Sequence, residues 1–256
     1  MNPYLRELNK IEFAVTFACT GRCKHCSVGE AIGSPGYIDP GTAADAVRRI
    51  TGKYAIETVM AFGGEPLLYP ETVYAIMSAA SEAGVPRRQV ITNGYFSKDP
   101  DKVCDTVKKL RLSGVNDLLL SVDAFHQEYI PVEPVLMFAS TVKAEGIPIR
   151  IQPAWLVSRS SDNPYNRKTA EYLRLTAEIG IDESEGNTVF PEGNAAKYLS
   201  EYFTGNKVEN PYTEDPENIR CLSFDPFGNV LDGNIFHEAI ETVIENYRPK
   251  NQLKGE

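Results

Sequence analysis

The sequence predicts an α/β fold: parallel strands in a partial (β/α)6 barrel, with a small C-terminal hairpin-plus-helix extension. Three observations carry that expectation. Short strand-like runs alternate with amphipathic helical stretches six times, which implies a parallel sheet with helices packed outside it. Six units are too few for a complete eight-unit barrel, so the sheet should stay open. From about Asn206 the texture changes to turn-rich sequence, which divides the chain into a core at 1–205 and an extension at 206–256.

The first strand is read at Ile11–Phe17, where Ile, Phe, Val and Phe alternate with Glu, Ala and Thr. A helix follows over Gly41–Gly52, with Pro40 placed for its first turn. Thr58–Phe62 is a short apolar strand stopped by Gly63-Gly64. Pro70–Ala83 has helical spacing and ends at Gly84. Strand three is Gln89–Thr92, ending in Asn93-Gly94, and Asp101–Leu112 is the next helix. Strand four spans Asp117–Asp123, followed by a helix at Pro134–Glu145; strand five spans Pro148–Trp155, followed by a helix at Tyr165–Gly180. A short sixth strand is placed at Asn187–Phe190. In the tail, Leu222–Leu231 reads as a hairpin turning near Gly228-Asn229, with a closing helix over Phe236–Tyr247.

Composition sets the outer bounds. A chain of 256 residues with 42% hydrophobic and 24% charged residues is ordinary for a soluble globular protein. No apolar run approaches the roughly 20 residues that cross a bilayer. The first ten residues lack an apolar signal core, so the expected location is cytoplasmic. A net charge of −9 argues against a general nucleic-acid or polyphosphate surface, and no membrane partner is expected.

Three of the five cysteines, Cys19, Cys23 and Cys26, fall in one loop after the first strand; Cys104 and Cys221 are distant. That usage favours metal ligation in a reducing compartment over a disulfide framework. In a straight helix positions 19 and 26 would lie about 10 Å apart along the axis, so the loop must curl, and Gly21 lets it do so. The spacing alone leaves open a zinc site, with His25 or a distant residue as fourth ligand, and a set of redox thiols.

The Cys-x3-Cys-x2-Cys spacing, followed after one βα unit by Gly63-Gly64-Glu65-Pro66, resembles the radical S-adenosylmethionine (SAM) superfamily. The resemblance covers most of the chain and implies several things at once. The fold is the partial barrel already expected. The three thiolates hold one [4Fe–4S] cluster, whose fourth iron is chelated by the amino and carboxylate groups of SAM. Reductive cleavage of SAM then yields methionine and a 5′-deoxyadenosyl radical that abstracts hydrogen from a small molecule or peptide. A flavodoxin- or ferredoxin-type protein is the implied electron donor. The residue before the third cysteine is commonly aromatic in the superfamily; here it is His25, read as packing or hydrogen bonding beside the cluster.

The same resemblance assigns cofactor contacts. Gly63, Gly64, Glu65 and Pro66 approach the SAM amino group through backbone and the Glu side chain. Asn93, in Thr92-Asn93-Gly94, lies near the adenosine or the substrate, or is simply a turn. Ser121 and Asp123 share a face at the end of strand four and hold the ribose or the methionine carboxylate, unless Asp123 caps the following segment. Arg150 and Gln152 share a face of strand five and are candidate SAM-carboxylate or substrate contacts. Phe190 lies where adenine is often cradled, and Asn194 stands where peptide-modifying members carry Arg. From its own place on the rim just past Ser121-Val-Asp123, His126 is the candidate proton shuttle or substrate ligand, or else a loop histidine bonded to backbone.

Arg220-Cys221 through Gly233 resembles the opening of the SPASM or twitch extensions that bind auxiliary clusters, yet Asp232 and Gly233 stand where a further cysteine usually follows. Cys104 and Cys221 cannot supply a second cluster between them. The tail therefore reads as a cluster-less remnant shaping the substrate pocket. The rival expectation is a non-catalytic iron–sulfur or zinc-binding protein on the same fold.

Overall fold

The computed structural model describes residues 2–205 and 208–249. Among the described residues, ten strands and eight α-helices follow one another. The order begins β1 (Lys10–Thr16), α1 (Pro40–Thr51), β2 (Thr58–Gly63), α2 (Pro70–Glu82), β3 (Arg87–Thr92), α3 (Pro100–Leu112) and β4 (Asp117–Leu120). It continues with α4 (Val132–Ala144), β5 (Ile149–Ile151), β6 (Ala154–Leu156), α5 (Pro164–Glu178), β7 (Asn187–Val189), α6 (Gly193–Tyr198) and α7 (Ser200–Phe203). The last elements are β8 (Cys221–Phe224), β9 (Asn229–Val230), β10 (Gly233–Asn234) and α8 (Ile240–Asn246).

The main sheet is wholly parallel and runs β5-β4-β3-β2-β1-β8. The period of two decides which residues face where. Ile11, Phe13 and Val15 of β1, with Val59 and Ala61 of β2, are fully buried toward the helices. Lys10, Glu12, Met60, Gln89, Ile91 and Leu119, from the alternate positions, line a cavity on the inner face. Side-chain caps start the helices where the sequence places them. Asp39 accepts from Thr42 N at 2.8 Å ahead of Pro40, Asp99 from Asp101 N, and Asn163 from Asn166 N.

Two expectations are corrected. The single strand read over Pro148–Trp155 is two. Pro153 has no N–H to give to a ladder, so β5 stops at Ile151 and β6 begins at Ala154, pairing in parallel with β7 as a separate two-stranded sheet. The sixth strand therefore joins the second sheet and not the first. A parallel bridge from Ile151 to Glu183 keeps the two sheets continuous.

The hairpin expected over Leu222–Leu231 is also laid out differently. Its first arm, β8, leaves the tail and pairs in parallel with β1, Ile11 opposite Leu222 and Phe13 opposite Phe224. The physical reason is burial. Leu222 and Phe224 are both almost completely shielded, and the Phe13 and Phe224 rings stack with centroids 4.6 Å apart. The hairpin that does form is β9–β10, a few residues later. Helix α8 begins at Ile240, later than Phe236, and is held from the N-terminus by Asn2, whose Nδ2 donates to the carbonyls of Ile244 and Tyr247.

Candidate cofactor site

The cysteine loop leaves β1 at the C-terminal rim of the sheet and is clamped from two sides. On one side the end of β2 packs directly on its root. Gly63 adopts φ +126°, and a Cβ there would stand 2.6 Å from the Thr16 carbonyl oxygen; a Cβ on Gly64 would collide with the Ala18 carbonyl. Gly64 N donates to Thr16 O at 2.6 Å and Glu65 N to Ala18 O at 2.8 Å. The glycine pair is thus required by the chain's own backbone, in addition to facing the cavity.

The other clamp was missed in the sequence. Asn194 N donates to Cys26 O at 2.9 Å and Asn194 Nδ2 to Cys23 O at 3.1 Å. A Cβ on Gly193 would sit 2.6 Å from the Cys26 carbonyl oxygen. The signal was present in Gly193-Asn194, a small residue followed by a side-chain amide after a strand, but its partner lies far away in sequence.

The three cysteines, Gly63, Gly64 and Asn93 line one cavity of about 630 Å³. Ser121, Asp123, His126, Gln152 and Phe190 line it too. Three expected contacts do not. Pro66 is buried behind the rim. Arg150 is exposed and bonds Asp117 through Nη2 at 2.7 Å. Glu65 is fully buried, its carboxylate accepting from Leu67 N (2.9 Å), the Thr92 hydroxyl (2.7 Å) and Asn93 N (2.8 Å). It braces Asn93, whose Nδ2 in turn reaches the Cys19 sulfur at 3.7 Å.

Asp123 borders the cavity yet has no solvent exposure. Its Oδ1 accepts from the Phe125 and His126 amides, and its Oδ2 accepts from Ala154 N and holds His126 Nδ1 at 2.8 Å. All its acceptor capacity is used by protein, so it caps the following turn and ties the end of β4 to the start of β6. Burial alone would raise its carboxyl pKa, but His126, His25 and the His126 backbone amide bring it down to about 2. Burial would lower His126, and Asp123 raises it above the usual imidazole range. His25 is pushed down to about 4 by burial, with His126 adding to the effect. Its ring lies 4.8 Å from Phe125 and 4.9 Å from His126, and its Nδ1 has no hydrogen-bond partner among the described residues.

The donor set can be tested for what it would hold. Thiolates bind a zinc ion at about 2.3 Å, which requires sulfurs within about 4.6 Å of one another. Among the described residues, the ligand atoms that gather within 4.8 Å are those of Cys23, His25 and His126; the three thiols do not all meet at that distance. Gly21 fills the space between them, where a Cβ would lie 3.2 Å from the Cys23 sulfur and 3.9 Å from that of Cys19. Gly21 N donates to the Cys19 sulfur at 3.4 Å. Burial raises all three thiol pKa values, that of Cys19 to about 11, so these groups keep their protons until a metal displaces them. Three thiols that open on one cavity without gathering at a single-ion distance would suit a [4Fe–4S] cluster, which Cys19, Cys23 and Cys26 would hold.

Comparison with known proteins agrees with that geometry. The profile of the radical SAM superfamily matches residues 13–147, more than half of the chain, and the chain belongs to this superfamily. A curated relative, the GTP 3′,8-cyclase of Chlorobaculum tepidum, is 28% identical over 123 residues, which cover 48% of this chain and 35% of the cyclase. The chain thus spans well under half the length of that relative. Among solved structures, Streptococcus suis SuiB bound to SAM superposes with a TM-score of 0.62 at 16% identity, covering 95% of this chain and 66% of SuiB. SuiB bound to its precursor peptide SuiA gives 0.59 at 14% identity, covering 98% and 64%. Native anSMEcpe with bound SAM gives 0.59 at 15% identity, covering 93% and 80%. At these identities the structural likeness shows the fold. Membership of the superfamily brings a [4Fe–4S] cluster and SAM as cofactors.

Proposed function

We propose that this chain is a radical SAM enzyme with a single [4Fe–4S] cluster, acting on a small molecule or peptide by hydrogen abstraction. The observation that carries the reading is that Cys19, Cys23 and Cys26 open onto the same cavity as Gly63 and Gly64. When bound, the cluster supplies the electron that breaks a carbon–sulfur bond of SAM, leaving methionine and a 5′-deoxyadenosyl radical. The chain's own residues orient that event. Gly63 and Gly64 present bare backbone to the amino-acid end of SAM. Ser121 offers its hydroxyl to the ribose or carboxylate, Asn93 lies near the adenosine or the substrate, and Phe190 offers an aromatic face to the adenine. Glu65 acts one step back by holding Asn93, and Asp123 by holding His126, which faces the cavity as a proton-transfer or substrate-binding group. Segment 206–256 is read as an extension that lends β8 to the sheet and carries no cluster of its own. A flavodoxin- or ferredoxin-type protein is the electron donor in this reading. No helix among the described residues is long and apolar enough to cross a membrane.

Anaerobic reconstitution should give a brown protein with about four irons per chain, an EPR signal that changes on adding SAM, and 5′-deoxyadenosine when dithionite is supplied with cell extract. About eight irons per chain would overturn the single-cluster reading. A cluster-loaded protein that never releases 5′-deoxyadenosine would overturn the enzymatic one. A second reading has one observation in its favour: the Cys23, His25 and His126 ligand atoms lie close enough for a mononuclear zinc ion, with Asp123 behind His126 as an outer partner. Colourless protein carrying stoichiometric zinc as isolated would favour it.

A further inference from the structure

The cavity has a second end, away from the cysteine loop. Lys10 and Glu12, in the first half of β1, turn onto it because Ile11 and Phe13 between and beyond them face the helices. Lys10 Nζ stands 2.6 Å from Glu12 Oε2, and both side chains keep partial solvent access. Ser223 of β8 donates to the other Glu12 oxygen at 2.8 Å. An ion pair on an inner wall carries a desolvation cost that apolar residues of the same volume would avoid, and the packing of β1 is already satisfied on its other face.

The neighbouring amides are oriented with capacity to spare. Asn187 Oδ1 accepts from both Gln152 Nε2 (2.9 Å) and Tyr212 Oη (2.8 Å), which leaves its Nδ2 to donate. Gln89 Nε2 donates to Asp117 at 2.7 Å, which leaves its Oε1 to accept. Tyr212 comes from the segment following α7 and meets β7 at the edge of the second sheet, so the same ring that orients Asn187 also walls the cavity.

We propose that this end of the cavity recognises a small zwitterion, a molecule bearing both a primary ammonium and a carboxylate such as a free α-amino acid, as the substrate held beside SAM. The inference rests on the radical SAM reading above. Charge balance decides the class. Lys10 is the one lysine or arginine lining the cavity among the described residues, and it is already neutralised by Glu12; of the other lining carboxylates, Asp123 is paired with His126, and Glu192 is exposed and accepts from Asn210 Nδ2. A monoanion bound to Lys10 would strip Glu12 of its partner, and a monocation would do the reverse. A zwitterion exchanges one ion pair for two and leaves the buried charge unchanged. A nucleoside triphosphate would bring several negative charges to a single compensated cation.

The test uses cluster-loaded protein with SAM and no reductant, so that nothing turns over. Saturation-transfer NMR would compare the proteinogenic L-amino acids, their methyl esters, their N-acetyl derivatives and GTP. At least one free amino acid should bind, with its ester and N-acetyl forms weaker by roughly tenfold or more. Lys10→Met and Glu12→Gln should each weaken it by a similar factor, while the SAM-induced EPR change, read on separate dithionite-reduced samples, persists. The double variant, which removes both charges together, guards against a fold disturbed by one uncompensated ion. Binding of GTP in preference, equal binding of the blocked forms, unchanged binding in the variants, or no binding of any free amino acid would each overturn the proposal. Release of 5′-deoxyadenosine is read separately. Cleavage without amino-acid binding sinks the zwitterion site alone, and binding without cleavage sinks the radical reading alone.

Discussion

The rim of the sheet after β2 and β3 and the rim after β4 each contain one carboxylate at zero solvent exposure, Glu65 and Asp123. Both are saturated by protein donors, yet they titrate in opposite directions. Burial pushes Glu65 up to about 7, against the pull of the Thr92 hydroxyl and the Leu67 and Asn93 amides. Asp123, facing the same desolvation, is held down to about 2, with His126 the largest opposing influence. Three neutral donors, with a weaker pull from His126, do not offset the loss of water around Glu65; the imidazole bonded directly to Asp123 does. The first rim is therefore a scaffold of hydrogen bonds that functions with a neutral or charged acid, and the second is an ion pair whose geometry depends on charge.

The largest effect should come from breaking the second rim. Asp123→Ala removes the partners of three backbone amides and of His126, and should cost about 3–5 kcal/mol in chemical unfolding. Asp123→Asn should recover part of that stability but not the tie to His126. A stability loss below 1 kcal/mol for the alanine variant would show that the pair is incidental. Next comes Gly64→Ala, whose Cβ must collide with the Ala18 carbonyl. It should cost about 3 kcal/mol and lower the iron bound on reconstitution; iron content at the wild-type level would show that the loop root tolerates displacement.

Glu65→Gln sharpens the contrast through pH. A carboxyl raised from 4.5 to about 7 contributes nothing unfavourable below its unfolded pKa. It destabilises the fold increasingly as pH rises from 4.5 to about 7, by up to about 3 kcal/mol above that. The Gln variant lacks that penalty. It should be the less stable protein at pH 5, through a lost acceptor, and should gain on wild type by pH 8. Parallel stability curves for the two proteins would remove the raised pKa from consideration. Asp123 has the opposite sign: its contribution is present above pH 3.8 and lost as pH falls toward 2. The smallest effect belongs to Arg150→Ala. That side chain pairs with Asp117 at 45% side-chain exposure, so its loss should cost under about 1 kcal/mol and leave the SAM-induced EPR change intact. A lost SAM response would return Arg150 to the cofactor site.

Much of this was legible in the sequence where the signal is local. The strand and helix order, the helix start at Pro40 and the cysteine loop all depend on contacts within a few residues, so periodicity and turn chemistry reveal them. Glu12 was visible as a charge on the non-apolar face of β1, although its meaning required knowing that the other side of that face is a cavity. Glu65 and Arg150 misled for a common reason. Their residue types suit ligand contact, but the rotamer that each adopts is set by distant partners, Asn93 in one case and Asp117 in the other.

By itself the sequence determined the class of the protein. A three-thiol loop and a Gly-Gly turn are defined by spacing along the chain, and spacing survives folding unchanged. Only the tertiary structure decided that β8 closes the sheet against β1, and that Gly193-Asn194 clamps the cysteines. It also decided that Glu65 supports Asn93 from behind the cavity wall, and that Lys10 and Glu12 line the same cavity as the cysteines. Each of these joins residues from 28 to more than 200 positions apart. They arise from one inner face being shared by several strands, a property of the sheet that no single segment possesses.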